Sequence, residues 1–62
     1  MFKLEIKTGG AAFRDENDNL DPWNAELFRI LDDVKDKLNN GKTEGNIMDI
    51  NGNKVGSWRL ED

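Results

Sequence analysis

The sequence predicts an α+β domain of β-α-β-β order, with one helix packed on a three-stranded antiparallel sheet. Three observations carry this. Residues 2–8 alternate apolar and polar side chains, residues 23–38 repeat apolar side chains at three- and four-residue steps, and an Asn51-Gly52 pair joins two short apolar arms. These patterns mark a half-buried strand, an amphipathic helix and a β-hairpin.

In the first strand Phe2, Leu4 and Ile6 share one face, and Lys3, Glu5 and Lys7 share the other, because strand side chains alternate sides. A strand buried on one face suits an antiparallel sheet. Gly9-Gly10 ends it. Residues 9–21 form a connection in which Ala11, Ala12 and Phe13 can pack, while residues 14–19 carry no apolar side chain and read as a solvated loop.

For the helix, Asp21 is the expected cap and Pro22 the first helical residue, where a missing N–H does no harm. Trp23, Leu27, Ile30, Leu31, Val34 and Leu38 fall on one stripe, with Phe28 beside it. Glu26, Arg29, Asp33, Asp36 and Asn40 fall on the opposite, solvent-facing side. Asn39-Asn40-Gly41 supplies a left-handed stop.

In the hairpin, residues 46–50 and 54–60 are the arms. A two-residue turn pairs Asp49 with Lys54, whereas a bulged turn with Gly52 left-handed pairs Asp49 with Asn53. In the first register Ile47, Trp58 and Leu60 share one face, and Met48, Ile50 and Val55 share the other. The expected strand order is 1-3-2; the alternative sets strand 1 beside strand 2 in a right-handed crossover. No internal repeat is evident.

Composition removes several function classes. The 62 residues form one domain, 1–62, with 35% hydrophobic and 35% charged residues, and a chain this short builds only a thin core. There is no Cys and no His, which excludes disulfides, thiolate zinc sites, thiol nucleophiles and the usual proton shuttle. The net charge of −4 argues against direct nucleic-acid binding. No apolar run is long enough to span a membrane, and the start lacks a signal peptide's apolar core, so the expected location is cytoplasmic. No cofactor is implied, and an enzyme is the reading least supported.

Three constellations compete with plain scaffold roles. The first is Asp15-x-Asn17-x-Asn19-x-Asp21, with Glu26 at the twelfth position. These are oxygen donors at calcium-loop spacing, although Leu20 stands where such a loop needs Gly. The second is charge. Residues 15–36 hold eight acidic and two basic side chains, a balance of −6. Asp15, Glu16, Asp18, Glu26, Asp33 and Asp36 are thus a candidate acidic surface for a basic partner. The third is the uncovered sheet face, where Met48, Ile50, Val55 and Trp58 are a candidate apolar patch. The carboxylate pairs Asp15/Glu16, Asp32/Asp33 and Glu61/Asp62 lack the enclosure that acid–base catalysis needs.

Gly10-Ala11-Ala12-Phe13, Ala25-Glu26-Leu27-Phe28-Arg29-Ile30-Leu31, Leu38-Asn39-Asn40-Gly41 and Asp49-Ile50-Asn51-Gly52-Asn53-Lys54-Val55-Gly56-Ser57-Trp58 together resemble short uncharacterised proteins carried by bacteriophages and prophages. The resemblance covers most of the chain through turn and core motifs. It implies a shared fold and a phage setting, and transfers no site residue. The expected function is a binding accessory protein that modulates or inhibits a bacterial host protein, such as a nucleic-acid-binding one or part of a defence system. The alternatives are a calcium-binding module on residues 15–26 and a structural homodimer joined through strand edges or sheet faces.

Overall fold

The computed structural model describes all residues, 1–62. Its elements are β1 (Phe2–Ile6), a single 3-10 turn (Ala11–Phe13), α1 (Ala25–Asn39), β2 (Glu44–Met48) and β3 (Lys54–Leu60). The sheet is antiparallel in the order β1-β3-β2, so the expected α+β architecture is found and the crossover alternative is not. Helix α1 covers one sheet face. Phe13, Ile30, Val34, Ile47, Val55 and Trp58 form the buried core between the layers, and Leu4, Ile6, Ala12, Leu27 and Leu38 pack against it.

The helix begins three residues later than the sequence predicts. Pro22 sits inside a turn closed by the Asn24 N–H on the Asp21 carbonyl at 3.1 Å. Asn24 then takes a left-handed conformation, φ 52°, and the helix starts at Ala25. Asp21 still works as a cap, its carboxylate accepting from the N–H groups of Trp23 at 3.1 Å and Ala25 at 3.2 Å. The turn places Trp23 outside the helix and 82% exposed, not on the core stripe.

The helical phase also differs from the expected one. The most buried positions are Glu26, Ile30 and Val34, one turn apart on a single line. Leu31 is half-exposed and Phe28 is 75% exposed. At the far end Gly41, φ 85°, donates to Leu38 O, and Lys42 donates to Lys37 O. This paired closure is the usual glycine stop.

The hairpin uses both registers that its sequence allows. At the tip Asp49 N donates to Asn53 O at 2.8 Å and Gly52 has φ 83°, which is the bulged turn. Met48 therefore faces Lys54, but Ile47 faces Gly56, leaving Val55 as an extra residue in β3. From there Gly45 faces Trp58 and Glu44 faces Arg59, the pairing a two-residue turn would have set. The bulge lets Val55 and Trp58, three residues apart, both enter the core.

Two glycines make the sheet possible. A Cβ on Gly56 would lie 1.8 Å from the Glu5 carbonyl oxygen in β1. A Cβ on Gly45 would lie 2.8 Å from Trp58 Nε1, because the indole leans across its neighbouring strand. Phe2 meets the same ring, with centroids 6.1 Å apart and planes tilted by 40°.

Candidate functional site

The acidic loop is built around Asp15. Arg14 and Leu20 form an isolated antiparallel bridge, and Asp15 N donates to Asn19 O at 2.7 Å. Asp15 Oδ1 accepts from the N–H groups of Asn17 at 2.9 Å and Asn19 at 3.0 Å, while Asp18 takes φ 61°. The hairpin tip repeats this pattern. Asp49 Oδ1 accepts from the N–H groups of Asn51 at 3.0 Å and Asn53 at 2.8 Å, and Gly52 takes the left-handed place. Asp15-Glu16-Asn17-Asp18-Asn19 and Asp49-Ile50-Asn51-Gly52-Asn53 are thus one five-residue turn used twice. The spacing was available in the sequence, hidden by the Asp-for-Gly difference at the fourth position.

Glu26 is corrected by the structure. It does not belong to the outer acidic surface, because it is only 7% exposed. It lies in line with Ile30 and Val34, and the hairpin tip covers it. Its Oε1 accepts from Arg29 Nε, and its Oε2 accepts from the Ile50 N–H at 2.7 Å. Arg29 Nη2 also donates to Met48 O at 3.1 Å. The hydrogen bond from Arg29 holds the Glu26 carboxyl below the ordinary carboxylate range, against the burial that would raise it, and Glu26 raises Arg29 in turn. Asp49, itself 6% exposed, is lowered chiefly by the Asn53 N–H. Both buried carboxylates hold backbone N–H groups, and Glu26 holds the Arg29 side chain as well.

The expected apolar sheet patch is also corrected. Val55 and Trp58 lie in the core, Trp58 on the Ile47 face and Val55 brought there by the bulge, while Met48 and Ile50 stay exposed at the hairpin end. The bare sheet face is polar. Lys3, Arg59 and Glu44 stand in one cross-strand row and Glu5, Ser57 and Asn46 in the next, with Arg59 Nε 3.3 Å from Glu44.

The surplus apolar surface is instead on the flank of α1. Leu27 and Asn24 border a shallow cleft with Thr8, Phe13 and Leu20. The same two residues border an open apolar strip with Phe28 and Leu31, ending at Asp32 and Lys35. Trp23 immediately precedes Asn24. Of the acidic candidates, Glu16, Asp18, Asp33 and Asp36 are exposed and Asp15 is half-buried; Asp33 pairs with Lys37 at 3.0 Å.

The calcium arrangement is not assembled. Asp15, Asp21 and Glu26 direct carboxylate oxygens at N–H groups of their own chain, Glu26 is buried under the hairpin tip, and no three acidic side chains lie together. No helix is long and apolar enough to cross a membrane. The chain matches no family model, no curated protein and no solved structure.

Proposed function

We propose that the chain is a small acidic accessory protein of the phage and prophage kind, which docks on a bacterial host protein and modulates it. A component of a host defence system, or a host protein with a basic nucleic-acid groove, is the kind of target that fits. The observation that carries this reading is the apolar surface exposed along α1 and just before it. Phe28 and Leu31 on the helix, and Trp23 ahead of it, are large apolar side chains left in water within the acidic stretch of residues 15–36. Exposed aromatics are the usual anchors of protein interfaces, and surrounding charge selects and steers the partner. Asp32 borders the strip itself, and Asp15, Glu16, Asp18, Asp33 and Asp36 add acidic charge on the leading loop and further round the helix. The sequence motifs that resemble phage proteins supply the setting.

Affinity capture from bacterial lysate tests it. Trp23→Ala/Phe28→Ala abolishes capture at any salt, and Asp33→Lys/Asp36→Lys abolishes it at low salt. Capture that both double variants leave intact rejects the reading.

A further inference from the structure

Strand β1 forms one edge of the sheet, and its backbone groups alternate in direction. Met1 N donates to Glu61 O at 2.6 Å and Glu61 N to Met1 O at 2.8 Å. At the other end Lys7 N donates to Val55 O at 2.7 Å. Odd-numbered residues therefore turn their N–H and C=O groups toward β3, and Phe2, Leu4 and Ile6 turn theirs outward. The strand holds no proline and pairs with β3 without a register shift. Such an edge is a template for another strand.

The same five residues are self-complementary. An antiparallel copy placed about a two-fold axis at Leu4 sets Phe2 opposite Ile6, Leu4 opposite Leu4 and Lys3 opposite Glu5. The apolar pairs fall on the helix-bearing face and the ion pairs on the polar one. The hydrogen-bonded positions of this register are the even-numbered ones, whose groups are free. Phe2, 44% exposed in the single chain, gains a cover. The other edge does not offer this. In β2 the Met48 carbonyl is taken by Arg29, and a two-fold about Asn46 sets Glu44 against Met48 with no charge pair.

We propose that β1 pairs with β1 of a second copy in this register, joining two chains into one continuous antiparallel sheet with both helices on the same face. A two-fold contact of this kind closes on itself and stops at the dimer. It leaves Trp23 and Phe28 outside the hydrogen-bonded seam, so it stands independently of the function proposed above.

Sedimentation over a dilution series tests it. The expected result is a concentration-dependent dimer. Lys3→Glu and Glu5→Lys each turn two attractive contacts into repulsive ones and weaken self-association by about tenfold or more. Their equimolar mixture restores it, because every seam contact is then a Glu–Lys pair. Circular dichroism confirms that both variants fold, and Glu5→Lys leaves the in-chain Lys3–Glu61 pair untouched. In a synthetic chain, N-methylation of Leu4 removes an outward donor and no internal bond, and abolishes the dimer. The amides of Leu4 and Ile6 exchange rapidly when dilute and slowly when concentrated. A chain that stays monomeric, a mixture that fails to recover, or a dimer that tolerates N-methylation at Leu4 overturns the proposal.

Discussion

The carboxylate of Glu26 and the backbone N–H of Ile50 meet at 2.7 Å, joining the first turn of the helix to the tip of the hairpin. Ile50 itself is exposed, so its side chain adds little to that joint. Removing the carboxylate strands the Ile50 N–H and takes from Arg29 the carboxylate it pairs with, leaving it the Met48 carbonyl and water. Glu26→Ala is expected to lower stability by about 2–4 kcal/mol, read as a fall in the denaturant midpoint. Phe28→Ala, on the same helix but in water, shifts it by no more than about 0.5 kcal/mol. Equal losses in the two variants contradict this account.

The two five-residue turns make a matched comparison. Asp49 is buried and Asp15 is half-exposed, though each accepts two N–H groups. Asp15→Ala is therefore expected to destabilise by about 1 kcal/mol, and Asp49→Ala by more than Asp15→Ala. At the left-handed position the sign reverses between the copies. Asp18→Gly relieves strain and stabilises by roughly 0.5 kcal/mol, whereas Gly52→Ala destabilises by roughly 1 kcal/mol. Thermal denaturation of the four variants gives the ranking.

Gly45 and Gly56 separate two kinds of crowding. An added methyl at Gly45 meets the indole of Trp58, which can tilt, and Gly45→Ala is expected to lose about 1–3 kcal/mol. At Gly56 the methyl meets the backbone of β1 at Glu5, which cannot yield without unpairing the strand. Gly56→Ala is expected to lose the sheet signal in far-ultraviolet circular dichroism under conditions where Gly45→Ala keeps it.

Acid acts through two carboxylates. Glu26 and Asp49 both lie below their ordinary values in the folded chain. In the unfolded chain they take up protons at about pH 4. Their contribution to stability is thus complete above that range and is lost as the pH falls toward the folded values. Denaturant midpoints should drop between neutral pH and about pH 3, and Glu26→Gln/Asp49→Asn should flatten that drop. An unchanged slope in the double variant assigns acid sensitivity to other groups.

Much of the fold was legible because its signals are local. Alternation in residues 2–6, the apolar spacing of the helix and the Asn51-Gly52 turn each depend on close neighbours. The features that escaped depend on distant ones. Glu26 carries a charge and reads as solvent-facing until the hairpin tip arrives to cover it. Pro22 fits a first helical turn equally well as a preceding turn, and the choice decides whether Trp23 is inside or outside. The bulge at Val55 reconciles two registers that sequence alone weighs against each other, and in doing so empties the expected sheet patch. The apolar surplus was legible as a quantity but not as a place: it lies on the helix flank at Phe28 and Leu31.

Only two tryptophans are present, and they occupy opposite surroundings: Trp58 is 2% exposed and Trp23 is 82% exposed. The molecule therefore carries two intrinsic fluorophores that answer different questions. Emission from Trp58 turns red only when the core opens, while emission from Trp23 turns blue or is quenched when something settles over the start of the helix. One titration can then tell an event at the surface from a collapse of the interior, with no label attached.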